Sequence, residues 1–87
     1  MTRQMRKEIH SFQQRDGDLF FKTWGYFNEL LLKCPHHNLP QDELVQAFYE
    51  GLNDMNKGIV DSSCGGVLME KRSEEAMELF ETLSNHN

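Results

Sequence analysis

Apolar side chains recur along this chain at intervals of three and four residues, and no stretch shows the alternation of period two that a half-buried strand requires. The strongest pattern lies in residues 18–33, DLFFKTWGYFNELLLK. Phe20, Trp24, Phe27 and Leu31 fall at i, i+4, i+7 and i+11, and Phe20, Thr23, Phe27 and Leu30 form a neighbouring row. So wide an apolar stripe predicts a helix at the centre of the fold. Asp16 and Asp18 are placed to cap its start, and Cys34-Pro35 to end it, because a residue before proline is pushed out of the α region. Gly25 inside this helix costs about 1 kcal/mol relative to alanine, so packing must hold the helix, and a residue this small also lets another helix come close.

The remaining helices follow from the same period. Met5, Ile9 and Phe12 predict a first helix over residues 2–14 with Thr2 as its cap, and Gly17 supplies the permissive backbone of the turn after it. Cys34-Pro35-His36-His37-Asn38-Leu39-Pro40 reads as a loop of fixed path, with Pro40 suited to opening a helix over residues 41–52. In that helix Leu44, Phe48 and Leu52 form one row, Val45 and Tyr49 a second, and Gly51 acts as a stop signal. A shorter helix over residues 54–64, capped by Asn53, is expected to turn Met55, Ile59 and Val60 inward and to end at Gly65-Gly66. Val67, Leu68 and Met69 then lie on the core, and Ser73 caps a last helix over residues 74–83 with Ala76, Leu79, Phe80 and Leu83 inward. The fold class is therefore all-α, a compact bundle of four to five helices in a single domain.

Charge and composition narrow what such a bundle does. The formal net charge of −5 is uneven: residues 1–15 set Arg3, Arg6, Lys7 and Arg15 against Glu8, a balance of +3, so the other residues carry −8. An acidic body repels phosphate backbones, so contact with RNA is expected only through other parts of a longer protein. The basic first helix reads as a solvated face. No apolar run reaches the roughly 18 residues of a membrane span, and the start of the chain lacks the apolar core of a secretory signal. Two cysteines make no disulfide framework, and a cytoplasmic, reducing setting is the expectation. Cys34, His36, His37 and Cys64 are the residue types of a zinc site, but the spacing C-x-H-H matches no common finger. Cys34 is expected to pack as a small apolar residue instead, with the histidines hydrogen-bonded in the loop. With no recognisable nucleophile motif and no phosphate-binding glycine loop, neither enzymatic activity nor a cofactor is expected. The acidic side chains Glu74, Glu75, Glu78 and Glu81 form a solvated face or a docking patch for a basic partner.

An ordered set of short motifs carries a resemblance. Glu8-Ile9, Phe12-x-Gln14, Trp24-x-x-Phe27-x-x-Leu30-Leu31, Lys33-Cys34-Pro35-His36-His37, Phe48-Tyr49-x-Gly51-Leu52, Gly65-Gly66-x-Leu68-Met69-x-Lys71 and Glu75-Ala76-x-Glu78-Leu79 run through nearly the whole chain. Together they resemble the Gag polyprotein of plant gypsy-type LTR retrotransposons. Gln14, Asp18 and Phe27 are in addition similar in spacing to the Gln, Glu and Phe elements of the major homology region that opens the C-terminal domain of retroviral capsids. Asp18 stands for the usual Glu, and Arg15 stands where those capsids have Gly. The resemblance implies a capsid C-terminal-type lobe over residues 15–87, preceded by a helix or inter-lobe linker over residues 1–14. It also implies that the usual N-terminal lobe is missing, so that the chain is a fragment or comes from a truncated gene.

A Gag lobe of this kind associates with copies of itself to build a particle shell by repeated, weak, symmetric contacts. The resemblance places the two-fold contact on the helix over residues 41–52. Asp42 and Glu43 there replace the apolar anchors of retroviral capsids and would repel across a two-fold axis. One helix cannot bury Leu44, Val45, Phe48, Tyr49 and Leu52 all inward, so a shifted self-association patch of Leu39, Val45 and Tyr49 is expected. The expected partner is another copy of the chain, with no membrane. The alternative implied by the resemblance is a host-adopted Gag remnant, a SCAN-like dimerisation module that stops at the dimer and is nuclear. A third reading, from another class, is a zinc or nucleic-acid-binding unit on Cys34, His36, His37 and the basic first helix.

Overall fold

The apolar periods resolve into five helices in the computed structural model, which describes residues 2–65 and 72–85. They are α1 (Thr2–His10), α2 (Phe20–Lys33), α3 (Gln41–Gly51), α4 (Asp54–Ser63) and α5 (Ser73–Asn85), and no strand occurs among the described residues. The molecule is an all-α bundle. α2 lies against α5, α5 also against α3 and α4, and α1 crosses both α2 and α3. The expected apolar run Val67, Leu68 and Met69 lies outside the described residues.

Helix ends show where backbone groups found other partners. α1 stops at His10, short of the expected residue 14, and Phe12 reaches the core from the turn beyond it. α2 begins at Phe20, not at Asp18: Leu19 takes the N-cap place in extended backbone, and no side chain caps it. Asp18 instead closes the preceding turn, its N–H donating to the Arg15 carbonyl at 3.1 Å, with Gly17 at φ +85°. At the other end the Cys34 N–H reaches the Leu30 and Leu31 carbonyls before Pro35 ends the helix. Asn53 caps α4 as expected, accepting from the Asn56 N–H at 2.9 Å. Ser73 does not cap α5. It is the first helical residue, its hydroxyl is paired with Gln41 Oε1 at 3.1 Å, and Glu75 takes up the Arg72 N–H, the return half of a capping box.

The core is built around one ring. Phe48 is fully buried and its ring centroid lies 4.8 Å from that of Phe80, 4.9 Å from Trp24, 5.2 Å from Phe27, 5.7 Å from Phe20 and 6.1 Å from Phe12. Most of these pairs are tilted or edge-to-face, the arrangement that sets the positive ring edge against the negative ring face. Two helices, α2 and α5, and the segment after α1 that carries Phe12 thus meet on α3. α3 packs against both α1 and α5 and buries Leu44, Val45, Ala47 and Phe48 together, with Leu52 beyond its end. The expectation that part of its second row faces outward fails at Val45, which is 4% exposed.

α4 meets the expectation in part. Val60 is buried as expected, together with Asn56, whereas Met55 is 77% and Ile59 41% exposed. The two rows have the same i, i+4 spacing, and α4 packs the Asn56–Val60 row inward, with Asp61 accepting a hydrogen bond from Tyr49 beside it.

Gly51 does more than end a helix. A Cβ there would lie 2.3 Å from the Phe12 carbonyl oxygen, so the chain before α2 runs across α3 at a distance only glycine permits. Gly51→Ala is expected to lower the unfolding free energy by about 1–3 kcal/mol through overpacking, seen as a fall in the thermal midpoint of roughly 4–8 °C per kcal/mol. Phe48→Ala should cost about 3–5 kcal/mol, a large part of the stability of a domain this small, and should abolish cooperative melting by circular dichroism.

Candidate functional site

The segment between α1 and α2 is fixed by one residue. The Gln14 N–H donates to the Gly51 carbonyl at 2.7 Å, its side-chain Nε2 to the Asp18 carbonyl at 2.8 Å, and its Oε1 accepts from the Asn53 N–H at 2.9 Å. Both ends of its amide are used, so a carboxylate or an apolar side chain could not serve both partners. Asn53, held at its backbone by Gln14, in turn caps α4 with its own side chain. Phe27 lies beneath this turn, fully buried, with its ring 5.0 Å from Phe12 in an edge contact. Gln14 and Asp18 are thus joined in one turn, Asp18 through its backbone carbonyl, and Phe27 packs against the Phe12 ring that precedes this turn. The Asp18 carboxylate caps nothing, and its Oδ2 is buried without a hydrogen-bond partner. Beside the turn the Arg15 guanidinium lies 4.7 Å from the Tyr26 ring centroid, a cation–π contact.

The expected self-association patch is not on the surface as a unit. Val45 is core, and Leu39 is half-buried and packed against it, with its N–H donating to His37 Nδ1 at 2.8 Å. Tyr49 is half-buried and its hydroxyl donates to Asp61, 2.8 and 3.0 Å from the two carboxylate oxygens, with Lys57 Nζ 5.9 Å from its ring centroid. The accepting carboxylate raises the Tyr49 pKa above the usual tyrosine value, since ionisation would break the bond, and partial burial adds to the effect. These residues knit α3 to its neighbours.

The cysteine and histidine residues have separate occupations. Cys34 is buried in the core and its thiol points to Glu8 Oε2 at 3.4 Å. Burial, and then the Glu8 carboxylate, raise its pKa, which keeps it a protonated thiol. Arg6 Nε donates to the His37 carbonyl at 2.9 Å, so α1 clasps the loop from above. His36 is exposed, and Cys64 Sγ donates to the Val60 carbonyl at the end of α4. Among the described residues no three His, Cys, Asp or Glu side chains are grouped to hold a metal ion.

Two surface features remain. A shallow groove of about 640 Å³ runs between α2 and α5, floored by Trp24, Leu31, Leu44 and Met77 and rimmed by Glu78 and Glu81, with the Trp24 indole N–H donating to Glu81. Large apolar side chains are also exposed outside it: Leu32 at 81%, Met55 at 77%, Leu19 at 55%, Ile59 at 41% and Phe21 at 40%. Sequence pattern alone did not single out Met55 and Ile59 as outward, because nothing local distinguishes their row from that of Asn56 and Val60. No helix among the described residues is long and apolar enough to cross a membrane. No family model, no curated protein and no solved structure matches the chain.

Gln14→Ala removes two side-chain hydrogen bonds from partly exposed partners and is expected to cost about 1–2 kcal/mol in denaturant unfolding. At alkaline pH the sign is fixed by the raised tyrosine: the fold favours its protonated form, so that stability is present below the unfolded tyrosine pKa and is lost as pH rises through the folded one. Stability measured from pH 8 upward should therefore fall above roughly pH 10. Tyr49→Phe should flatten that fall, leaving the part contributed by Cys34, whose pKa is raised in the same direction.

Proposed function

We propose that this chain is a Gag-like, capsid C-terminal-type lobe that works by associating with copies of itself as a structural element of a retrotransposon particle. The observation that supports this reading is the Gln14 turn. Where the sequence resembles the major homology region, one glutamine ties the entry of α2 to the junction of α3 and α4, and four helices follow in the order such a lobe has. The second support is the set of outward apolar side chains, of which Leu32 and Met55 are more than three-quarters exposed. A domain of this size gains stability by covering such residues with a second subunit. Nothing in the arrangement of Cys34, His36, His37 and Cys64 favours the zinc reading. RNA contact is assigned to other parts of Gag, because the body of the chain is acidic.

Sedimentation velocity of the chain over a concentration series, at low and high salt, tests the proposal. Reversible, concentration-dependent formation of a dimer or larger species is the expected result. A single monomeric species at every concentration would overturn the reading for this chain.

A further inference from the structure

Resting on that self-association reading, we infer that the contact between copies is made by the outer face of α2, in an antiparallel, two-fold arrangement, and not by α3. α2 has two faces. Phe20, Thr23, Trp24 and Phe27 are buried in the bundle. On the adjoining, solvent-facing side Phe21, Gly25, Asn28 and Leu32 follow one another at i, i+4, i+7 and i+11, all exposed, with Phe21 at 40% and Leu32 at 81%. The one polar member, Asn28, turns its Nδ2 back to donate to the Trp24 carbonyl of its own helix at 2.8 Å. At Gly25 no atom lies within 4 Å of the place a Cβ would occupy, and a shallow groove of about 260 Å³ runs past Phe21, Gly25 and Tyr26. The helix carries a glycine where its own fold needs none, at the midpoint of an exposed apolar stripe, so a second helix can approach closely there.

The charges beside the stripe choose the occupant and its direction. Lys22 and Glu29 are exposed and lie on the same flank, seven residues apart. In a two-fold antiparallel pair centred between residues 26 and 27, Phe21 stands opposite the partner's Leu32 and Gly25 opposite the partner's Asn28. The same register brings Lys22 within a turn of the partner's Glu29, and the symmetry repeats the pair. A parallel two-fold pairing would turn this flank toward the partner's opposite flank, and Lys22 would not meet the partner's Glu29. The stripe is therefore complementary to itself in one direction only. Neither the α2–α5 groove nor α3 has this property. Glu78 and Glu81 rim the α2–α5 groove with one sign of charge, and α3 has its apolar rows in the core. From Phe21 to Leu32 the stripe is about 16 Å long, so the contact is small and weak, as a repeated assembly contact should be.

The test is a charge exchange on the full chain, read by sedimentation velocity, with thermal melting to verify that each variant folds. Lys22→Glu alone and Glu29→Lys alone put like charges across the axis and should each weaken association by about tenfold. The double variant Lys22→Glu/Glu29→Lys restores opposite charges and should return association to within about twofold of the original. Phe21→Ser and Leu32→Ser should weaken association while each variant still melts cooperatively. If the unaltered chain associates and these variants associate equally well, or the double variant fails to restore what the single ones lose, the α2 face is overturned while self-association stands. If the unaltered chain is monomeric throughout, both fall.

Discussion

The structure depends on the burial of Phe48. Its ring touches five other aromatic rings, contributed by α2, α5 and the segment after α1. Helices of 9–14 residues are marginal alone in water, so none of these elements is stable without the others. Convergence on one ring on α3 makes that helix the covered member of the bundle. α1, α5 and the hydroxyl-to-carboxylate link from Tyr49 to Asp61 close around it. A helix so enclosed has no apolar row left to offer another molecule. The surfaces open to partners are on α2, which borders the core on one side only, and on the short α4.

This arrangement explains which parts of the fold the sequence revealed. The α2 stripe was legible because four large side chains at helical spacing admit one inward direction, and Asn53 was legible as a cap because its role needs only the residues that follow it. Val45 and the α4 face were not, for a shared reason. Periodicity gives the spacing of a row but not which of two adjacent rows faces the core. Val45 is buried in a helix packed against both α1 and α5, and on α4 Asn56 and Val60 are the buried row while Met55 and Ile59 face outward. Both outcomes are set by packing between elements, which a row's spacing does not record. The expected caps failed for separate reasons: the Ser73 hydroxyl is paired with Gln41, and α2 starts so that Leu19, not Asp18, stands at the N-cap place.

The candidate site was legible in part. Gln14 and Phe27 stood out only through a resemblance; the hydrogen bonds show what Gln14 does, its side-chain amide donating to the Asp18 carbonyl and accepting from the Asn53 N–H. The function of Asp18 was misjudged from its side chain, because the fold uses its backbone. Gly51 was read as punctuation, although its reason is the Phe12 carbonyl passing over it, a contact across the chain that no local pattern records.

The Gln14 bridge joins two distant parts of the chain. Gln14 and Asn53 lie 39 residues apart, and the bond between them requires α3 to be seated, with the Phe12 carbonyl passing over Gly51 beside it. The α1–α2 turn is therefore not a local structure: it closes a long loop, at an entropic cost that the contacts it makes must offset. The coupling is mutual: loosening the turn frees the Asn53 backbone at the start of α4, so a disturbance at either junction reaches the other through a single amide.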